Sequence, residues 1–114
     1  MKFRILFYFL IISAFSKAQE TALIGNDSSY IYRSVEEIKA NPERVFRLNL
    51  SKQKLDTFPQ EIFACTNLVE LDLSKNKIEE IPPQIGTLVN LESLSMANNS
   101  LVHLPKEIGK LTKL

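Results

Sequence analysis

Few residues in this chain are of types that do chemistry. The single histidine, His103, lies between Leu101 and Leu104. A histidine that activates a nucleophile needs that nucleophile and an orienting group beside it. No such set is spelled around His103, so it reads as an exposed surface residue. The single cysteine, Cys65, cannot form an internal disulfide. It occupies an apolar framework position, where a small buried residue is expected rather than a reactive thiol. Glu79 and Glu80 are adjacent carboxylates in a loop and read as a solvated pair. Metal-binding spacings such as C-x-x-C or H-E-x-x-H are not spelled. Gly25, Gly86 and Gly109 are isolated, so no phosphate-cradling loop is formed. The sequence therefore predicts no catalytic residue, no metal and no cofactor. Asn26-Asp27-Ser28, Asn49-Leu50-Ser51 and Asn98-Asn99-Ser100 match the N-x-S glycosylation triplet, a short and unspecific pattern.

What remains for function is a set of polar residues held by a repeating frame. LVELDLSKNKIEEIPPQIGTLVN (68–90) and LESLSMANNSLVHLPKEIGKLTK (91–113) share an apolar spelling 23 residues apart. Leu68, Leu71, Leu73, Asn76, Ile78, Ile81, Pro82, Ile85 and Leu88 recur as Leu91, Leu94, Met96, Asn99, Leu101, Leu104, Pro105, Ile108 and Leu111. VFRLNLSKQKLDTFPQEIFACTN (45–67) is an earlier copy, with Gln53 at the Asn position and Cys65 at the last apolar one. Leu114 opens a further copy. A period of this size is that of a supersecondary unit rather than of one helix or strand. L-x-x-L-x-L suits a short strand with alternate residues turned inward. The amide at Gln53, Asn76 and Asn99 can donate and accept where the chain bends, which predicts a structural polar ladder. A proline that cannot donate to a sheet follows. The chain then returns as a loose helical turn or extended segment.

Upstream, residues 1–18 have the grammar of a secretory signal peptide: Lys2 and Arg4, an apolar core from Ile5 to Phe15, and Ser16-x-Ala18. The apolar core has 11 residues, against the roughly 20 that span a bilayer. Cleavage after Ala18 removes Lys2, Arg4 and Lys17 and leaves a net charge of −2, which gives nucleic acid no electrostatic footprint. No stable membrane span is expected after cleavage. Residues 19–33 read as a linker with the turn-forming Gly25-Asn26-Asp27-Ser28-Ser29. Residues 34–44 read as a capping helix. Ser34 and Glu37 have capping-box spacing, and Asn41-Pro42 closes it.

The framework of residues 45–114 resembles the leucine-rich repeat family, with its pattern L-x-x-L-x-L-x-x-N-x-L. The 23-residue spacing and the L-P-x-x-I-G-x-L tail are similar to short repeats of many bacterial proteins and of intracellular Ras-binding-type proteins. The resemblance implies an α/β solenoid with a short parallel sheet on its concave face. The helix from Ser34 to Ala40 would then cover the open sheet edge before the first repeat, as sheet edges and solenoid ends require.

In that arrangement the variable residues form columns across the strands: Arg47, Glu70 and Ser93, then Asn49, Asp72 and Ser95. These six are the expected ligand-binding residues, and Arg47 and Glu70 would pair across strands for about 0.2–1 kcal/mol. The implied function is an exported, non-catalytic module binding a protein or peptide, whether secreted, periplasmic or at the cell surface. Two alternatives stay open: the targeting arm of a longer enzyme, and a signalling regulator, against which the leader argues. Three strands at about 4.8 Å spacing offer a few hundred Å², whereas stable interfaces take about 800 Å² per partner. Further repeats after Leu114, weak binding, or self-association through the exposed edge of the last repeat would each reconcile these areas.

Overall fold

The structure is a computed structural model, and it describes residues 28–114. The expected leader (1–18) and most of the expected linker lie outside those residues. Four short strands form one parallel sheet in chain order: β1 (Ile31–Tyr32), β2 (Arg47–Asn49), β3 (Glu70–Asp72) and β4 (Ser93–Ser95). The register equals the sequence period. Leu48 faces Leu71 and Leu71 faces Leu94. Strand alternation then turns Leu48 and Leu50, and Leu71 and Leu73, into the interior, where all four are at most 2% exposed.

Each of β2, β3 and β4 is followed by a strained turn. Lys52, Lys75 and Asn98 all have φ of 58°, and Lys54 has 57°. A left-handed conformation costs a side-chain-bearing residue about 1–2 kcal/mol. The ladder amides offset that cost. Asn76, between Lys75 and Lys77, is 7% exposed. Its Oδ1 accepts from the backbone N–H groups of Gln53 and Leu55, both at 3.0 Å. Its Nδ2 donates to the carbonyls of Leu50 and Leu73, both at 2.9 Å. Asn99 does the same one repeat on, accepting from Ile78 N–H at 3.0 Å and donating to Leu73 O at 2.8 Å. Gln53 reaches upstream, its Nε2 donating to Arg33 O at 2.7 Å. Asn76 and Asn99 thus close groups of the preceding unit as well as of their own turns, whereas Gln53, among the described residues, reaches only upstream.

After Pro59, Pro82 and Pro105 the chain returns in 3-10 turns: η2 (Gln60–Ala64), η3 (Pro83–Thr87) and η4 (Lys106–Lys110). Proline fixes φ near −65° and supplies no N–H, which suits the residue ahead of such a turn. Cys65, Leu88 and Leu111 N–H close each turn on Ile62, Ile85 and Ile108 carbonyls at 2.9, 3.1 and 3.1 Å. A second polar series runs along this side. Asn67 donates to Glu43 O at 2.8 Å, Asn90 to Thr66 O at 3.1 Å, and Lys113 to Asn90 Oδ1 at 3.1 Å.

The N-terminal end differs from the sequence reading in two ways. Ile31 and Tyr32, expected in the linker, form β1 and pair with Arg47 and Leu48. The sheet edge ahead of the first repeat is therefore covered by a strand. Within the segment 34–44, the helix α1 (Val35–Lys39) ends ahead of Asn41-Pro42 as the sequence predicts, but a separate 3-10 turn, η1 (Pro42–Arg44), follows it. Pro42 is the cause: it disfavours helix at Asn41, whose φ/ψ is −145°/73°. Ser34 caps α1, its Oγ accepting from Glu37 N–H at 3.2 Å and donating to Glu37 Oε1 at 3.3 Å. The helix packs on η2, with Ile38 fully buried. Tyr32 is also buried, edge-on to Tyr30 with ring centres 4.8 Å apart, and among the described residues its hydroxyl has no partner.

Burial falls off along the stack. Leu68, Leu73, Ile78, Ile85 and Leu88 of the second repeat are fully buried. In the third, Leu94, Met96, Leu101 and Ile108 are half-buried, Leu104 is 60% exposed and Val102 80%.

Candidate functional site: the concave sheet face

The six variable residues expected to bind a ligand fall on the three strands in two rows. Arg47 lies beside Glu70 and Glu70 beside Ser93; Asn49 lies beside Asp72 and Asp72 beside Ser95. The inward leucines between them force this, because alternate residues of a strand leave by opposite faces. Together with Ile31, Leu48 and Leu71, they frame an open hollow of about 230 Å³. That is below the 300–1,000 Å³ usual for enclosed small-molecule sites. The face suits surface recognition better than engulfing a small ligand.

The polar groups of the face are unequally engaged. Arg47 Nε donates to Glu70 Oε2 at 2.6 Å, and Nη1 to Ser29 O at 3.4 Å. Both side chains of the ion pair remain about one-third to one-half exposed, so water weakens the pair. Asn49 Oδ1 accepts from Ser51 N–H at 3.0 Å and from Ser51 Oγ at 2.7 Å. Asp72 Oδ1 accepts from Ser74 N–H at 2.9 Å. These two side chains cap the ends of their own strands, a local bond typical of Asn and Asp. The Ser93 and Ser95 side chains make no hydrogen bond among the described residues.

Sequence reasoning missed Ile31. It lies opposite Arg47 and lines the hollow. Its signal is the run Tyr30-Ile31-Tyr32, three good strand formers just before the cap. Two residues are too few for alternation to declare a strand.

Other candidates lie away from this face. His103 is exposed. Glu79 and Glu80 are exposed and, with Asp56, Thr57, Phe58, Gln60 and Pro82, line a separate hollow of about 210 Å³. Cys65 is fully buried, and burial pushes its thiol up to about 12, with a smaller push from Glu43. Among the described residues, no group of acidic, His or Cys side chains is arranged to hold a metal. No helix among them is long and apolar enough to cross a membrane.

The family profile described as Leucine rich repeat matches residues 43–101 and 66–114, which together take in all three 23-residue units. The chain belongs to the leucine-rich repeat family. Among solved structures, a leucine-rich repeat protein of Leptospira interrogans is 33% identical, with a TM-score of 0.50 over 75% of this chain and 28% of that one. The plant peptide hormone receptor RGFR1, solved in complex with RGF2, is also 33% identical, with a TM-score of 0.61 over 74% of this chain and 14% of that one. The chain thus spans less than a third of the length of either neighbour. No curated protein matches it.

Proposed function

We propose that this leucine-rich repeat chain is an exported, non-catalytic recognition module that binds a protein or peptide on its concave sheet. Arg47, Asn49, Glu70, Asp72, Ser93 and Ser95 make the contacts. The observation that carries this reading is their convergence on one open face around a 230 Å³ hollow. The solved complex of RGFR1 with RGF2 supports it by similarity of repeat fold. Export rests on the leader at residues 1–18. The amino-terminal sequence of the protein recovered outside the producing cell tests it; a chain still beginning at Met1 overturns cleavage.

Binding is tested by selecting peptides from a display library against the full chain. Arg47, Glu70 and Asp72 are then changed together to alanine. The selected peptides are expected to lose at least tenfold in affinity while the thermal midpoint falls by only a few degrees. Unchanged affinity assigns the contacts to another surface.

A second reading keeps the same face but makes these repeats the recognition arm of a longer enzyme or regulator. The short share of each solved neighbour that the chain covers, 28% and 14%, favours considering it. A further partner mode, self-association through the last repeat, rests on the exposure of Val102 and Leu104. Sedimentation velocity at rising concentration tests it, and a constant monomeric coefficient excludes it.

A further inference from the structure

We infer that the ligand of the concave face presents a cationic side chain, a lysine or arginine of an extended segment, to the Glu70–Asp72 row of β3. This deepens the proposed function and rests on it.

The inference follows from which polar groups on the face are already used. Arg47 is the cation on the three repeat strands, and it is committed: Nε to Glu70 at 2.6 Å and Nη1 to Ser29 O at 3.4 Å. An anionic ligand reaching the remaining Nη2 of Arg47 would lie beside the carboxylates of Glu70 and Asp72, which repel it. Asn49 is likewise turned onto Ser51. What the face still offers is mainly acceptors. Glu70 uses Oε2 and Asp72 uses Oδ1, so among the described residues Oε1 and Oδ2 are unengaged. The hydroxyls of Ser93 and Ser95 stand beside them in register. Residues two apart on a strand lie about 6.6 Å apart, and neighbouring strands about 4.8 Å. The two carboxylates and two hydroxyls therefore form a patch on the scale of one ammonium or guanidinium group. Glu92, exposed just ahead of β4, adds negative charge at the same end. Lys52 and Lys75 lie past the strand ends, in the turns beyond Ser51 and Ser74. They make the rim beyond the strand ends positive, so the ligand's cation is held on the strands themselves, between the carboxylates of Glu70 and Asp72. Charge complementarity of this kind sets specificity and association rate more than raw affinity.

The probes are two fluorescent Ser/Gly octapeptides, one carrying Lys-Ser-Lys and the other Glu-Ser-Glu, titrated against the full chain by anisotropy. Amide shifts report the face touched. The lysine peptide is expected to bind at least tenfold tighter, and to weaken as salt is raised. Asp72→Asn keeps an oxygen for Ser74 N–H but removes the charge, and should cost the lysine peptide about fivefold. Arg47→Gln removes the competing cation and should strengthen that peptide about threefold, a direction that simple loss of packing would not produce. Equal binding of the two peptides, or weaker lysine-peptide binding in Arg47→Gln, overturns the inference. If only the glutamate peptide shifts the amides of Ser93 and Ser95, the cation preference fails and the concave-face reading stands. If neither peptide shifts amides of β2–β4, both fail.

Discussion

At the scale of single residues, Cys65 gives the sharpest pH dependence. Its thiol, with an ordinary value of 9.0, is raised to about 12 in the folded chain, first by burial and then by Glu43. Below pH 9 the thiol is protonated whether the chain is folded or not. Above that, the unfolded thiol ionises while the native one holds its proton. Proton linkage then lowers stability as pH rises from about 9 to about 12. Cys65→Ala removes this contribution without adding volume. Chemical denaturation at pH 8 and pH 10.5 should show a smaller alkaline loss in the variant than in the parent. Equal losses would mean that the thiol is not buried as described. Leu88 and Leu111, which hold the same place in the next two repeats, are both buried, and this is what made the interior position of Cys65 readable from spacing alone. The left-handed backbone of Lys52, Lys54 and Lys75 was not readable in the same way. Lysine has no preference for that region, and only Asn98, of a type that tolerates it, hints at the turn.

At the scale of elements, two glycines at equivalent places in η3 and η4 separate close approach from habit. A Cβ on Gly86 would stand 3.2 Å from the backbone oxygen of Glu107 and 3.1 Å from Lys110 Cδ. A Cβ on Gly109 would meet nothing within 4 Å. Gly109→Ala should therefore stabilise the fold by about 0.4–1 kcal/mol, by narrowing the unfolded ensemble. Gly86→Ala should destabilise it by about 1 kcal/mol, since a backbone oxygen yields less readily than a side chain. Thermal midpoints moving in opposite directions would check the pair; two increases would mean that η3 and η4 are less closely packed. The first repeat carries Phe63 at this place, where it stacks on Phe58 with ring centres 5.2 Å apart. The strands and the amide positions were legible because burial and hydrogen bonding both repeat with the period. The 3-10 form of the return segments was not, since Ile62 and Cys65, three apart, suit a loose helical turn as well. Nor was the 3-10 turn at Pro42–Arg44, although the helix end ahead of Asn41-Pro42 was legible from the proline. The candidate site was legible to the same degree as the strands: its six residues follow from alternation and register, whereas Ile31, from a strand outside the period, did not.

At the scale of the molecule, burial among the described residues falls toward the third repeat, and stability is expected to follow it. Leu71 and Leu94 face each other in the sheet and have the same type, but Leu71 is 2% exposed and Leu94 half-buried in the last repeat. Leu71→Ala should cost about 2–5 kcal/mol, and Leu94→Ala roughly half as much, because less apolar surface returns to water. Urea midpoints would measure both. Equal costs would imply that the last repeat is as well covered as the second. Amide hydrogen exchange should show the same slope, slowest in β2 and β3 and fastest in β4, as expected where each unit is stabilised by its neighbours.

The constant offset between neighbouring strands also bears on how such a gene can change. Excising residues 68–90 would bring Asn99 to the place of Asn76, with Gln53 and Leu55 waiting for its Oδ1 and Leu94 facing Leu48. Every rung has a ready substitute, so unequal crossing-over by one whole unit leaves a foldable product. A loss of one residue within a strand, by contrast, turns the side chains beyond it to the opposite face. A change by one whole unit of 23 residues keeps both the strand register and the amide ladder intact.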